Sequence, residues 1–487
     1  MDVEELLADA PPESRTTADE VAQALRAAGT TLVVLDDDPT GTQSVAGLPV
    51  LTRWEPDDLA WALAEGSAAA VGALYVLTNS RSLSPEATAA RTREVVRAAL
   101  AAAGERGERV TFLSRSDSTL RGHFPLETDV VADELAAAGL PRPDLVLLVP
   151  AFPDAGRVTV GGTHWTREAG GLVPVGESEF AADATFGYRA SWLPEWVQEK
   201  TSGRVRAEDV VACDLAVVRR GADAVAAVLR AAAPGAVVAV DAAAQSDLLV
   251  VALACAALEG EGRTLLYRTG PAFVRARVGQ DAPAVVEDVA LPAPVTRSHA
   301  GGLVVVGSHT GLTTRQRDAL VAARPGTRVV ELPVPAVVDD DRRARALTAA
   351  VDDVVAGLAA GDVLLQTSRE RVVAGDAEGS LALARSVSAA VVEVVARVLA
   401  ERAPRFVVAK GGITSHDVAV RGLGIARAVV RGPMLPGLVS LWEPADGPAE
   451  GVPYAVFPGN VGDEDGLAEV VERLAPRREQ PAATGHR

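Results

Sequence analysis

Short apolar runs alternate along this chain with longer stretches in which apolar residues recur at helical spacing. In the first half the pattern predicts strands near residues 32–35, 74–78, 110–114 and 145–149, separated by helices over 56–70, 85–103 and 126–138. In the second half, strands fit 303–307, 328–332, 362–367 and 405–409, with long helices between them. Strands alternating with helices argue for an α/β fold of two domains, each a largely parallel sheet flanked by helices. Residues 289–302 carry two Pro and two Gly without clear periodicity and read as a linker. The expected division is therefore an N-terminal domain over 1–288, the linker, a C-terminal domain over 303–475 and a disordered polar tail over 476–487. No repeat of solenoid period is visible.

Composition narrows the classes. At 487 residues and 48% apolar content the chain can bury large cores. Its start, Met1-Asp-Val-Glu-Glu, lacks the basic and apolar regions of a signal peptide, and the Ala/Val-rich runs carry charges at helical intervals. A cytoplasmic protein with no membrane partner is expected. Cys213 and Cys255 have no ligand cluster near them, and the six histidines show no metal-binding spacing, so no permanent structural metal is expected. A formal net charge of −18 argues against a nucleic-acid surface. It leaves room for a small anion held by local arginines.

The candidate chemistry lies where strands end. Residues 31–43 form an apolar run that stops at Asp36, Asp37 and Asp38, followed by Pro39-Thr40-Gly41. Three adjacent acids repel one another and must face water, a cation, hydroxyl donors or basic partners. The plainer reading is a β-turn with ordinary Asp-Pro chemistry. Far along the chain a second apolar run ends in Lys410-Gly411-Gly412-Ile413-Thr414-Ser415. Paired glycines let backbone approach a ligand, and Thr or Ser can cap a helix whose first amides favour an anion. Lys410 is one of only two lysines, with Lys200, in an arginine-rich chain.

Three further loops of the first domain share this theme. They are Thr78-Asn-Ser-Arg81-Ser82, Ser114-Arg115-Ser-Asp117-Ser118-Thr-Leu-Arg121-Gly-His123, and Pro150-Ala-Phe-Pro-Asp154-Ala-Gly-Arg157. Arginine can take a carboxylate bidentately while Ser, Thr and Asp read hydroxyls, which suits a polyhydroxylated acid. The hydroxyl-rich 114–123 loop also reads as the capped start of a helix. Four strands ending in such loops converge on one sheet edge.

These segments resemble the four-carbon acid sugar kinases, which join a sugar-binding N-terminal domain to a nucleotide-binding C-terminal domain. Asp37-Asp38-Pro39-Thr40-Gly41 is similar to the family's Asp-Asp-Leu-Thr-Gly, with Pro in place of Leu. Asp117 to Gly122 matches its Asp-Ser-Thr-Leu-Arg-Gly unchanged, and Pro150 to Arg157 its Pro-Ala-Phe-Pro…Gly-Arg stretch. In the second half, Gly307-Ser308…Thr313…Gln316, Gly411 to Thr414 and Pro436-Gly437 resemble the nucleotide-binding motifs. The likeness runs from about residue 30 to 466. Two positions depart from it: Ile413 stands where Glu is usual, and Lys410 precedes the glycine pair.

The resemblance implies an ATP-dependent, Mg2+-assisted kinase acting on the terminal hydroxyl of a threonate, erythronate or 3-oxo-tetronate type acid. Arg121, with Arg81 and Arg157, would anchor the carboxylate, with Asp117 and Ser118 in the same site. Asp37 and Asp38 would bind hydroxyls and include the base. Ser308, Gly411, Gly412, Ile413, Thr414 and Gly437 would line the nucleotide, with Lys410 near its phosphates. A homodimer is the default assembly. Two alternatives stand beside it. Asp36-x-Asp38-x-Thr40 is also the spacing of haloacid dehalogenase-type phosphatases, whose first Asp is the nucleophile. A non-catalytic sugar-acid or nucleotide sensor would use the same clefts.

Overall fold

Strands buried on both faces are built from uninterrupted apolar runs, and the first half of the chain supplies them. The computed structural model describes residues 2–68, 72–287, 301–307, 310–368, 377–459 and 461–475. The expected linker, apart from Gly301 and Gly302, and the tail lie outside the described residues. In chain order the first strands are β1 (Thr30–Asp36), β2 (Pro49–Leu51), β3 (Ala73–Leu77), β4 (Arg109–Arg115), β5 (Leu145–Val149), β6 (Arg157–Val160), β7 (Thr163–Glu168), β8 (Gly171–Pro174), β9 (Val211–Cys213), β10 (Ala236–Val240) and β11 (Leu265–Thr269).

These elements belong to one compact unit, Met1–Pro283 together with Ala426–Val430. Its main sheet runs β2-β3-β1-β4-β11-β5-β10-β9, parallel throughout. Leu59, Leu63, Val95, Val96, Ala99, Val131 and Leu135, from helices Pro56–Ala68, Pro85–Arg106 and Leu126–Ala137, close over Val33, Leu35, Leu74, Val76 and Phe112. Strands β6, β7 and β8 form a separate antiparallel sheet. Near it Trp196, Val197, Val175 and Tyr188 cluster with Leu120 and Phe124.

The second unit comprises Ala284–Ile425 and Arg431–Arg487. Its strands are β12 (Leu303–Val306), β13 (Arg328–Leu332), β14 (Val363–Thr367), β15 (Val407–Lys410), β16 (Arg427–Leu435), β17 (Val439–Pro444) and β18 (Tyr454–Phe457). The order β13-β14-β12-β15-β18 is parallel, and β17 adds antiparallel to β18, with β16 beside β17. Strand β16 is divided between the units. Arg427, Ala428 and Val429 pair antiparallel with Leu51, Val50 and Pro49, so residues 426–430, placed by the sequence reading in the C-terminal domain, complete the first unit. Among the described residues no helix is long and apolar enough to cross a membrane.

Candidate active site

Parallel register aligns the strand ends. Asp36 of β1 lies opposite Leu77 of β3 and Arg115 of β4, and Arg115 lies opposite Thr269 of β11. The loops that follow therefore emerge at one edge, the position where open α/β sheets bind ligands.

The deepest layer is ionic. Arg115 Nε donates to Asp36 Oδ1 at 2.6 Å, and its Nη2 binds the same carboxylate and the Asp38 carbonyl at 2.7 Å. Asp36 and Asp37 are each 1% exposed. Of the partners that three adjacent acids allow, water is thus excluded for these two, and guanidinium groups take its place. Burial raises Asp36 to about 7 against the pull of Arg115, with Asp37 adding to the rise. Asp37 Oδ1 lies 3.3 Å from Arg115 Nη2, yet neither oxygen accepts a hydrogen bond among the described residues. Burial pushes its pKa up, against Arg81 and Arg115. Gly41 is required here because a methyl group on it would overlap the Arg115 guanidinium.

Beside this pair, Glu127 accepts from Ser80 at 2.6 Å and Ser114 at 3.1 Å and binds Arg268, which also reaches Ser114 at 2.7 Å. Gly122 adopts φ +116°, and a Cβ there would lie 2.7 Å from Arg268 Nη2 and 3.2 Å from Asp37 Oδ2. The glycine closing the Asp117–Gly122 loop thus admits both charged groups.

The outer layer faces solvent. Asp38 caps the 3-10 turn Pro39–Ser44, accepting from Thr40 N at 2.8 Å and Thr40 Oγ1 at 2.5 Å, so the turn reading and the site reading describe the same residue. Its carboxylate pairs with Arg81. Burial alone would raise Asp38, but Arg81, Arg115 and Thr40 bring it to about 2. Asp117 accepts from Arg121 Nε at 2.6 Å and from Thr119, and Arg81 Nη1 stands 3.8 Å away. These cations outweigh burial and hold its carboxyl well below the usual range.

Arg121 also lies 3.5 Å from Asp183. Arg157 Nη1 donates to Ser118 Oγ at 2.7 Å, and both Arg121 and Arg157 lie over the Phe180 ring, at 5.1 and 5.5 Å. Among the described residues Arg157 makes no close ion pair and its Nε makes no hydrogen bond, while Asp117 acts on it at longer range. Burial lowers its pKa. His164 Nε2 meets the Ser118 carbonyl at 2.8 Å, so that nitrogen carries the proton, and Nδ1 accepts from Thr159 Oγ1 at 2.9 Å. Burial lowers His164 to about 4 and keeps it neutral.

The loop is held in an uncommon conformation. Leu120 has φ +66°, a region that bulky side chains rarely adopt. It is retained by burial in the Trp196 cluster and by the Tyr188 hydroxyl, which donates to the Thr119 carbonyl at 2.5 Å. The expected helix cap is absent: helix Leu126–Ala137 starts after Pro125 with no side-chain cap, because the hydroxyls of the loop serve the site instead. All the predicted residues of this half, Asp37, Asp38, Arg81, Asp117, Ser118, Arg121 and Arg157, come together here. Arg115 belongs to the 114–123 loop expected to take the acid, but its partner is Asp36, and Glu127, Asp183, His164 and Arg268 lie outside every loop the sequence points to. The readable signal for Arg268 was a charge inside the apolar run of β11.

In the second unit the strand ends align likewise, with Val306 opposite Lys410 and Lys410 opposite Phe457. Ser440 opposite Val456 brings the Pro436-Gly437 turn, with Gly437 at φ +63°, to the same end. Gly307 packs so closely on Thr414 that a methyl group would overlap its hydroxyl. Thr414 and Ser415 do not cap the helix. Gly411, at φ +117°, precedes helix Gly412–Asp417 without a side-chain cap, and Ser415 Oγ donates to the Ala409 carbonyl at 2.8 Å. Ile413 is 71% exposed.

Lys410 is fully buried. Its Nζ donates to the Pro458 carbonyl at 3.1 Å and lies 4.0 Å from the Phe457 ring centroid, and burial lowers it to about 7. Thr313 Oγ1 holds the Gly459 carbonyl at 3.2 Å, and Gln316 Nε2 the Val461 and Asp463 carbonyls at 3.0 and 2.6 Å. Ser308 lies outside the described residues. No group of three or more His, Cys, Asp or Glu suited to a metal ion occurs among the described residues.

Residues 32–277 match a sugar-binding N-terminal domain, and residues 303–467 a nucleotide-binding C-terminal domain. The D-threonate kinase of Bordetella bronchiseptica is 28% identical over 458 residues, covering 91% of this chain and 98% of that protein. The 3-oxo-tetronate kinase of Methylobacterium radiotolerans is 30% identical over 462 residues, covering 90% and 98%. The D-erythronate kinase of Heliobacterium modesticaldum is 29% identical over 337 residues, covering 64% and 69%. A crystal structure from Salmonella typhimurium LT2 aligns with TM-score 0.65 at 19% identity, covering 90% of this chain and 98% of that one. Haemophilus influenzae protein HI1011 aligns with TM-score 0.61 at 19% identity, covering 91% and 100%. At that identity the two structures establish the α/β fold. The two matched domains and the near full-length likeness to kinases of four-carbon acids agree with the motifs at the two strand edges: the chain belongs to the four-carbon acid sugar kinase family.

Proposed function

We propose that this protein transfers the γ-phosphoryl group of ATP to the terminal hydroxyl of a four-carbon sugar acid of the threonate, erythronate or 3-oxo-tetronate type. The observation that carries the reading is Arg157, a half-buried guanidinium whose Nε is enclosed without a hydrogen bond and which makes no close ion pair among the described residues. Enclosing a charge that only the longer-range field of Asp117 offsets is costly, and an incoming carboxylate supplies a close counter-charge. Arg121 stands over the same Phe180 ring as a second contact. Ser118, Asp117 and Thr119 read the hydroxyls. Residues 1–288 thus take the acid and residues 303–475 the nucleotide.

Of the two adjacent acids, Asp38 is the one the hydroxyl can reach, because its side chain is 19% exposed and that of Asp37 only 1%. A low pKa does not disqualify it, since phosphoryl transfer depends chiefly on positioning and charge stabilisation and places little demand on base strength. Asp37, below it, keeps Arg81 and Arg115 in place. The same burial argues against the phosphatase alternative, whose nucleophile Asp36 is enclosed by Arg115.

In the second unit Gly411, Gly412, Ile413, Thr414 and Gly437 line the nucleotide, and Lys410 holds the Pro458 carbonyl at its border. The Mg2+ that neutralises phosphate charge arrives on the nucleotide itself, as is usual for that ion; the side chains described here form no cage for it. A coupled ADP-release assay over a panel of four-carbon acids tests the reading. ADP release that depends on one acid is expected; nucleotide turnover indifferent to every acid refutes it.

A further inference from the structure

Arg81 differs from the other arginines of the site in the partner it holds. Its Nη2 pairs with Asp38, and its Nη1 lies 3.8 Å from Asp117 Oδ2. It therefore has two carboxylates already, as Arg121 has in Asp117 and Asp183, whereas Arg157 makes no close ion pair among the described residues, and a further carboxylate gains less from Arg81 than from Arg157. The opposing acids raise its pKa well above the ordinary value, so it stays charged at every working pH. Its side chain is 20% exposed, so it reaches the solvent face.

What it would exchange for follows from the reaction. A hydroxyl that gives its proton to Asp38 sits about 3 Å from that carboxylate. The phosphorus it attacks must then stand about 3–3.5 Å from the hydroxyl oxygen. A guanidinium paired to the same carboxylate has the phosphoryl oxygens within the sweep of its own side chain, wherever the donor nucleotide is held.

We infer, resting on the assignment of Asp38 above, that Arg81 is a catalytic residue for the phosphoryl group and not an anchor for the sugar acid: it passes from Asp38 to the phosphoryl oxygens during transfer. The hydroxyl oxygen forms its bond to phosphorus. The bond from phosphorus to the nucleoside diphosphate breaks, and its electron pair leaves with the diphosphate. The hydroxyl proton goes to Asp38, which the departure of Arg81 has released. In the resting protein the same ion pair keeps the partly exposed Asp38 carboxylate from accepting a proton.

Steady-state kinetics of the full-length protein with Arg81→Met and Arg81→Lys separate the two roles, using ATP, Mg2+ and the acid that the panel identifies. The expected result for Arg81→Met is a fall in kcat of about 10³-fold, as for arginines that contact a transferring phosphoryl group. KM for the acid should change by less than about threefold. Arg81→Lys, which keeps the charge and the fold, should lose kcat by less, again with KM unmoved. Added guanidinium ion should restore part of the turnover of Arg81→Ala. A raised KM with kcat preserved overturns the inference and makes Arg81 a carboxylate anchor, leaving the kinase reading intact. Failure of the wild type to turn over with any acid removes that reading, and the inference with it.

Discussion

Replacing Lys410 with Met should remove a pH dependence built into the second unit. Burial brings the Lys410 ammonium from 10.5 to about 7, a depression that corresponds to about 5 kcal/mol of preference for the neutral form. The Phe457 ring at 4.0 Å and the Pro458 carbonyl at 3.1 Å favour the charged form by about 1–2 kcal/mol each. These contacts bring the folded pKa part of the way back up from the value that burial alone would set, and a net penalty of about 2 kcal/mol remains. Because the folded pKa lies below the unfolded one, the penalty is present in full below the folded value. It declines as pH rises and vanishes above 10.5. Wild-type stability measured against Lys410→Met should therefore climb by about 2 kcal/mol between pH 7 and 10.5. Urea unfolding of both proteins across that range, followed by circular dichroism, reads the difference while all other titrations cancel. A stability difference that stays flat with pH, or falls, would refute the reasoning.

Three other outcomes are expected. Arg157→Met should raise KM for the acid by about 10²-fold through loss of a buried charge contact, without lowering the melting temperature of the ligand-free protein. A drop in that temperature would show that Arg157 is structurally compensated. His164→Gln should remove an acid-labile support: neutral His164 stabilises the site fully above its unfolded value of 6.5. That contribution, up to about 3 kcal/mol, is lost as pH falls through about 4, so the variant's stability should depend less on pH over that window. Gly41→Ala should cost about 1–3 kcal/mol by driving a methyl group into Arg115, with stability measured by thermal unfolding; an unchanged melting temperature would show that the guanidinium can move aside.

Much of the sheet was legible because parallel strands buried on both faces are written as unbroken apolar runs. Residues 145–149 and 328–332 form strands with the expected bounds. The antiparallel sheet of β6, β7 and β8 left no such run, since its strands are short and partly exposed. The outer layer of the site was readable from polar loops following predicted strands. The inner layer was not, for a topological reason. Chain order places β5 after β4, but β11 inserts between them and carries Arg268 against Glu127 and Ser114. Lys410 was visible as a rare residue. Its rotation onto Pro458 depends on β18 lying beside β15, a neighbour that no local pattern specifies.

The division of β16 bears on how the protein is made. Backbone bonds from Gly47 to Val430, Val430 to Leu48 and Thr52 to Ala426, at 2.7, 2.8 and 3.1 Å, tie residues 426–430 to β2 and its flanks. Arg427 Nε also reaches Asp58 at 2.7 Å, and Asp58 is fully buried. A ribosome that has released Pro283 has therefore not yet supplied everything the N-terminal half needs. Until Val430 emerges, β2 presents a bare edge, the kind of surface that recruits other strands, and Asp58 lacks one of its two guanidiniums. The half that would hold the acid is completed only after most of the other half has been synthesised, so the gene cannot be cut between its two matched domains without leaving the first one unfinished.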